Sequence, residues 1–448
     1  MKPLYSGVRG TRDLIGTEAK RLLALERSLG DWCELFGYQP IITPVFEEEG
    51  LFTRSLGDAT DVVSKEIYSF SDKKGRKLAL RPEGTAGVCR ALVQQPGFAQ
   101  RPAGRYYYAG PMFRYDRPQA GRYRQFFQFG VECFGEPGPF ADAEQVVMID
   151  RWLRRAGLAA YEVRVNSIGC PACRGNFVAA LQERWRGHAD ALCGDCRDRI
   201  ERNPLRVLDC KVRDCWSQRG EVPAAEGLLC DCCRDHFRRF RGLLDSVGLC
   251  YRQDDRLVRG LDYYTRTTFE FVSTALGAQS AFLGGGRYDG LLAQLGGPAT
   301  PAIGWAVGLD RLLTLLPPAW SPAAETTAAP IPALPPVAQT RGCWYLALGS
   351  DAAAAACFPL VLELRRRGID VRWSGKPDKL GKQLKQANAA GAACVLIMHD
   401  DEVQRQCVQL KDFVGKTEPK TFALTADAAA LAEQLMTYLD SLPPADRS

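Results

Sequence analysis

The 448-residue sequence has no apolar run approaching the ~18 residues that a membrane-crossing helix needs, so a membrane role is not expected. Its first stretch, MKPLYSGVRGTRDLIG, has no apolar core followed by a small-residue cleavage site and does not read as a secretory leader. A cytoplasmic location is the expectation. The sequence also lacks GxxxxGK[ST] and any GxGxxG opening a helix, which excludes the usual P-loop and Rossmann ways of holding a nucleotide. No internal repeat is present.

What is present is ordinary in bulk, with 46% hydrophobic and 25% charged residues. At about three times the usual domain size, the chain predicts two or three domains. Net charge is +6, with arginines gathered at residues 151–155, 234–241 and 365–367. Such runs fit a nucleic-acid partner and equally fit solvated faces. Residues 321–340, rich in Pro, Ala, Thr and Ser, predict a linker. Beyond it, WYLALG and ACVLIM read as strands, and residues 352–367 and 380–390 as helices of a small α/β domain.

Upstream, a helix is predicted over residues 19–36, ending at Gly37, with IITPVFEE as a strand interrupted by Pro44. The runs RYYYAGPMFRY and FFQFGVECFG flank a polar loop and predict a long antiparallel hairpin with a charged tip. Arg114, Arg117, Arg122 and Arg124 surround that tip. Phe126, Gln128 and Glu132 alternate onto one face of the returning strand. Planar guanidiniums there suit bidentate contact with a polyphosphate, or else form a solvated turn. GGGRYDGL, from Gly284, lets backbone approach a ligand closely or makes a tight turn. AIGWAVGLDRLLTLL reads as a strand entering a helix whose first turn holds Arg311, placed to reach over a sheet.

Nine of the 17 cysteines fall between Cys170 and Cys233. Intracellular thiols stay reduced, so metal binding is a better reading than disulfides. They pair as Cys170/Cys173, Cys193/Cys196, Cys210/Cys215 and Cys230/Cys233, with Cys232 spare. The first two knuckles, 19 residues apart, predict one Cys₄ zinc site, and the remaining two pairs a second. At least one structural zinc is expected, with buried reduced cysteines as the alternative.

Together these segments resemble a class II aminoacyl-tRNA synthetase, and in detail the histidyl-tRNA synthetase family. FRYDRPQAGRYRQFFQFGVECFG resembles the class's second motif and GLDRLL its third, while LVRGLDYYT and GGGRYDGL resemble the two histidyl-specific peptides. LALRPEGTAGVCR resembles the amino-acid site, and the likeness extends to GKPDKLGKQLKQANAAGAACVLIM near the C-terminus. It implies an α+β fold: a class II antiparallel-sheet catalytic domain with a cysteine-rich insertion, then an α/β domain of the anticodon-binding type. The expected extents are residues 1–165 and 251–320 for the catalytic domain, 166–250 for the insertion, 321–340 for the linker and 341–448 for the C-terminal domain.

The implied reaction is ATP-dependent ligation of histidine to its tRNA through histidyl-adenylate, with Mg2+ accompanying ATP and a homodimer as the assembly. By resemblance, Arg259 and Arg114 contact the α-phosphate, and Arg311 holds the far end of ATP. Arg122 and Phe126 join the ATP site. Glu83, Thr85 and Gln128 match ammonium-binding positions, and Glu132 and Tyr264 match imidazole contacts. Lys376, Lys379, Lys382 and Lys385 are candidate tRNA phosphate contacts. The basic edge 234–241 of the insertion is expected to lean on the tRNA acceptor arm. Asp116 and Phe127 stand where the family usually has glutamate and often histidine. An extended peptide would send Tyr263 and Tyr264 to opposite faces, one of them into the core. No segment resembles an editing domain. A catalytically silent regulatory paralogue and a tRNA-sensing module in a signalling protein are the competing classes. The first tends to lose RGLDYY and the C-terminal domain, which are present here, and the second needs a further catalytic domain, for which the chain has no room.

Overall fold

The computed structural model describes residues 4–441 except 58–59, 61, 101, 117–121, 211, 213, 216–221, 224, 278–279, 322–342, 374–376, 414 and 416–417. The expectations for Arg117, for nearly all of the linker and for Lys376 therefore lie outside the described residues.

Eleven strands precede the linker: β1 (Gln39–Pro40), β2 (Phe46–Glu48), β3 (Ser69–Ser71), β4 (Lys77–Leu80), β5 (Gly104–Phe113), β6 (Gln125–Phe134), β7 (Glu162–Ser167), β8 (Arg252–Gln253), β9 (Thr265–Val272), β10 (Ala281–Arg287) and β11 (Ala302–Gly308). Eight of them form one sheet in the order β1-β5-β6-β11-β10-β9-β7-β8, antiparallel throughout its middle and closed at each edge by a short parallel strand. The cysteine-rich segment leaves this sheet after β7 and returns at β8 beside it, so an insertion, not a tandem unit, interrupts the sheet.

The predicted hairpin forms in continuous register from Gly104 opposite Phe134 to Phe113 opposite Gln125. The first helix spans Thr17–Glu34, and Gly37, at φ 76°, follows its end in a left-handed conformation that glycine adopts without Cβ strain. IITPVFEE does not make one strand: β1 joins the large sheet and β2 a separate three-stranded sheet, β2-β4-β3. Pro44 sits in the connection, where its missing N–H costs no ladder bond.

Alternation of side chains divides the large sheet's faces. Phe129, Val131, Phe269, Phe271, Ile303 and Val307 point into a core shared with the helices Thr17–Glu34 and Pro139–Arg155. The other face is hollow because its rows are short of side chain: Gly284 pairs with Ala306, which pairs with Gly130, and Gly286 pairs with Gly304, which pairs with Glu132.

After the linker, β12 (Cys343–Leu348), β13 (Val371–Arg372), β14 (Ala392–Met398), β15 (Cys407–Asp412) and β16 (Lys420–Ala423) form a mixed sheet in the order β13-β12-β14-β15-β16. Both predicted strands and both predicted helices, Asp351–Arg366 and Leu380–Ala389, are present. The arginine run beside them is not a solvated face. Arg365 is buried against Glu144 of the first unit, and Arg366 and Arg367 pair with Glu363. The run at 234–241 is likewise neutralised: Arg234, Arg238, Arg239 and Arg241 all have carboxylate partners. No described helix is long and apolar enough to cross a membrane.

Candidate active site

The hollow face of the large sheet floors an open cavity of about 540 Å³. All ten residues expected to bind ATP or histidine line it: Glu83, Thr85, Arg114, Arg122, Phe126, Gln128, Glu132, Arg259, Tyr264 and Arg311. They come from the hairpin strand β6 and its tip, the start of the helix Thr85–Val93, the loop before β9, and the helix Leu309–Leu315. No two of these segments are sequence neighbours.

At one group of walls the chemistry is anionic. Glu83 is buried and accepts from the N–H groups of Thr85 (2.7 Å) and Ala86 (2.8 Å), so it also caps the helix Thr85–Val93. Burial raises its pKa, partly offset by those hydrogen bonds and by Arg114. Thr85 donates its hydroxyl to Glu132 Oε1 at 2.6 Å, and the Tyr288 hydroxyl donates to Glu132 Oε2. Glu132 is 1% exposed, and burial pushes its carboxyl up to about 8 although both hydrogen bonds favour the anion. Gln128 lines the cavity, and its Oε1 is buried with no hydrogen-bond partner among the described residues. Two carboxylates and a spare amide oxygen suit a cationic ligand of amino-acid size.

The remaining walls carry the guanidiniums. Arg114 donates from Nε to the Pro82 carbonyl (2.8 Å), and its guanidinium lies 5.5 Å over the Phe126 ring. Arg122 pairs with Asp116, the residue that departs from the family pattern, and so Asp116 has an internal partner. Arg311 donates to the Ala281 carbonyl. Arg259 pairs with Glu270 across the bare backbone of Gly284, where any Cβ would overlap the guanidinium. Its Nε is buried and has no hydrogen-bond partner among the described residues. Burial opposes the charge on Arg259, but Glu270 together with Tyr264 and Tyr263 outweighs it, so the guanidinium pKa is raised.

Tyr263 and Tyr264 do not diverge. The loop before β9 turns instead of extending, their ring centroids lie 4.6 Å apart, and both face the cavity. Phe127 packs on the opposite face while its N–H donates to Asp310 at 2.8 Å, tying the hairpin to the helix that carries Arg311.

Sequence reasoning missed several lining residues. Tyr288 stands inside GGGRYDGL but carried no individual signal. Glu270 shows only as one polar member of an alternating strand. Arg206 and Asp209, from the insertion, had no signal at all, because only the fold brings them here.

The eight paired cysteines form two groups of four, each with its sulfur atoms within 4.8 Å of one another. Their membership differs from the expected one. Cys170, Cys173, Cys230 and Cys233 gather at the two ends of the insertion, and Cys193, Cys196, Cys210 and Cys215 in its middle. The knuckles nest because the helices Pro171–Arg186 and Asp231–Ser246 bring their N-termini together, a pairing that linear spacing does not reveal. Sulfur separations of 3.7 Å (Cys170 to Cys173), 3.9 Å (Cys170 to Cys230) and 3.8 Å (Cys193 to Cys210) match the ~3.8 Å edge of a tetrahedron with ~2.3 Å Zn–S bonds.

Comparison with known proteins gives a consistent answer. The family model described as histidyl-tRNA synthetase matches residues 10–172 and 233–312. A histidine–tRNA ligase of Thermotoga maritima is 43% identical over 412 residues, 91% of this chain and 94% of that one. One of Caldanaerobacter subterraneus is 40% identical, covering 93% and 96%. The structure resembles that of the apo histidyl-tRNA synthetase of S. aureus, with a TM-score of 0.56, 30% identity, and coverage of 96% and 99%.

Proposed function

The chain belongs to the histidyl-tRNA synthetase family, and from that premise we propose how its cavity activates histidine and which groups assist. The reaction is ATP-dependent ligation of histidine to tRNA: the histidine carboxylate oxygen attacks the α-phosphorus, pyrophosphate leaves, and a tRNA hydroxyl then displaces AMP from the carbonyl. Convergence of ten motif residues from four separated segments on one cavity is the observation that carries the division of labour.

Glu83, Thr85 and Gln128 take the histidine ammonium, and Glu132 and Tyr264 the imidazole. Glu132 holds a proton near neutrality, so it meets a neutral imidazole as a hydrogen-bonding carboxyl and an imidazolium as a carboxylate. Arg259 and Arg114 neutralise charge that gathers on the α-phosphate in the transition state, and Arg311 and Arg122 hold the outer phosphates. Phe126, already under Arg114, offers a face for adenine. Mg2+ accompanying ATP would offset polyphosphate charge, and Glu66, Asp209 and Glu270, which line the cavity, would offer it oxygens of the type it takes. Catalysis is by positioning and electrostatics, with no covalent enzyme intermediate.

Each sulfur group would hold one structural zinc, since four thiols this close fit the ligand set of a single ion. Exposed Ile42, Val45, Phe46 and Phe70 form an apolar margin suited to a second copy, making the assembly a homodimer. Exposed Lys379, Lys382 and Lys385 face solvent for tRNA phosphate, although Lys382 also pairs with Asp378. A cytoplasmic location is the reading that work on tRNA supports. The test is amino-acid-dependent exchange of pyrophosphate into ATP with each of the twenty amino acids. Exchange with histidine alone is expected, and its loss in Arg259→Ala with the fold retained. Exchange with another amino acid, or full activity in Arg259→Ala, would overturn these assignments.

A further inference from the structure

Residues 259–264, which carry Arg259 and Tyr264, lie between β8 and β9 outside any ladder. Three side chains of the insertion hold this segment, two by its backbone carbonyls and one by the Asp262 carboxylate. Arg206, buried, spends both terminal nitrogens on carbonyls: Nη1 donates to Arg259 O at 3.1 Å and Nη2 to Gly260 O. Asn203 Nδ2 donates to Asp262 Oδ1 at 2.9 Å. Arg174 Nη1 donates to the carbonyls of Tyr264 (3.0 Å) and Asp262 (3.3 Å).

Each of these residues lies on a segment bounded by cysteines of the two groups. Arg174 follows Cys173 directly, and Asn203 and Arg206 lie on the segment that Cys196 and Cys210 enclose. That segment contains the four-residue helix Leu205–Leu208, too short to hold itself in water. A metal joining Cys193, Cys196, Cys210 and Cys215 closes it at both ends.

We infer that the two zinc-clamped cysteine groups are a positioning device for adenylate formation, fixing Arg174, Asn203 and Arg206, which hold residues 259–264 so that Arg259 faces the reacting phosphate. The inference rests on the zinc and on the Arg259 role proposed above. Arg206 is a positioning residue, because its terminal nitrogens are committed to backbone. A shift of about 1 Å in a reacting geometry costs ~10²-fold in rate, so the grip acts on kcat more than on binding.

The test uses the full-length enzyme, with metal content by mass spectrometry and histidine-dependent pyrophosphate exchange. Two zinc ions per chain are expected. Arg206→Ala should lower kcat roughly 10²-fold while the KM values for histidine and ATP stay within about twofold and both zinc ions remain. Arg206→Lys should recover part of the loss, since an ammonium still donates to both carbonyls. Should Arg206→Ala fail to fold, Asn203→Ala decides, with a kcat loss of about tenfold expected from one missing hydrogen bond. An unchanged kcat in a folded, zinc-loaded variant overturns the positioning inference alone. Active native enzyme without zinc overturns the metal reading and the device with it, and native enzyme without histidine-dependent exchange overturns the assigned reaction.

Discussion

At the scale of single residues, Glu132 is the most constrained group in the cavity. Burial holds its carboxyl near 8, against an ordinary value of 4.5. Between those values the folded protein keeps a proton that the unfolded chain has released, so stability falls as pH rises through that window. Glu132→Gln removes this penalty. It should leave the melting temperature at pH 5 nearly unchanged and raise it by several degrees at pH 9, and equal effects at both pH values would rule the mechanism out. Glu132→Ala should raise the KM for histidine far more than that for ATP, because a site built around a hydrogen bond discriminates by about 10⁴ when the bond is lost.

At the scale of elements, β10 shows why its glycines stand in succession. Gly284 leaves room for the Arg259 guanidinium, Gly285 packs against the Gly304 carbonyl and Trp305, and Gly286 packs on Thr267 and Tyr264. A methyl at Gly284 must displace Arg259, so Gly284→Ala should cut histidine-dependent exchange about 10²-fold. Gly290→Ala, with nothing near its added carbon, serves as the control and should retain activity. Loss of the folded state in Gly284→Ala, seen by circular dichroism, would show that the strand needs glycine for folding and not for the arginine. Of the strongest local signals, the hairpin was legible down to the face on which Phe126, Gln128 and Glu132 lie, since a period of two fixes a face once the strand is known. The tyrosine pair was misread for the same reason: that rule holds only where the backbone is extended, and residues 259–264 turn.

At the scale of the whole molecule, a buried ionic network joins the large sheet to the C-terminal one. Arg105 pairs with Glu136 and Glu144, Arg365 pairs with Glu144, and Trp373 Nε1 donates to Glu136 at 3.1 Å. Removing one partner of a buried pair leaves an uncompensated charge, so Arg365→Ala should destabilise the protein by about 3–5 kcal/mol. Urea denaturation followed by fluorescence would measure this, and a change under 1 kcal/mol would mean that water or rearrangement compensates.

The sequence by itself determined the reaction class and the ten cavity residues, because the family's motifs are short and local and carry their own spacing. It also paired eight of the cysteines as candidate metal-binding knuckles, since a knuckle is a four- to six-residue pattern. Which knuckles gather into one group of four was decided only by the tertiary structure, where two helix N-termini 60 residues apart meet. The same holds for Arg206, Asn203 and Tyr288. Their roles depend on contacts between distant segments, and such contacts are set by how the chain packs, a property that no short window of sequence contains.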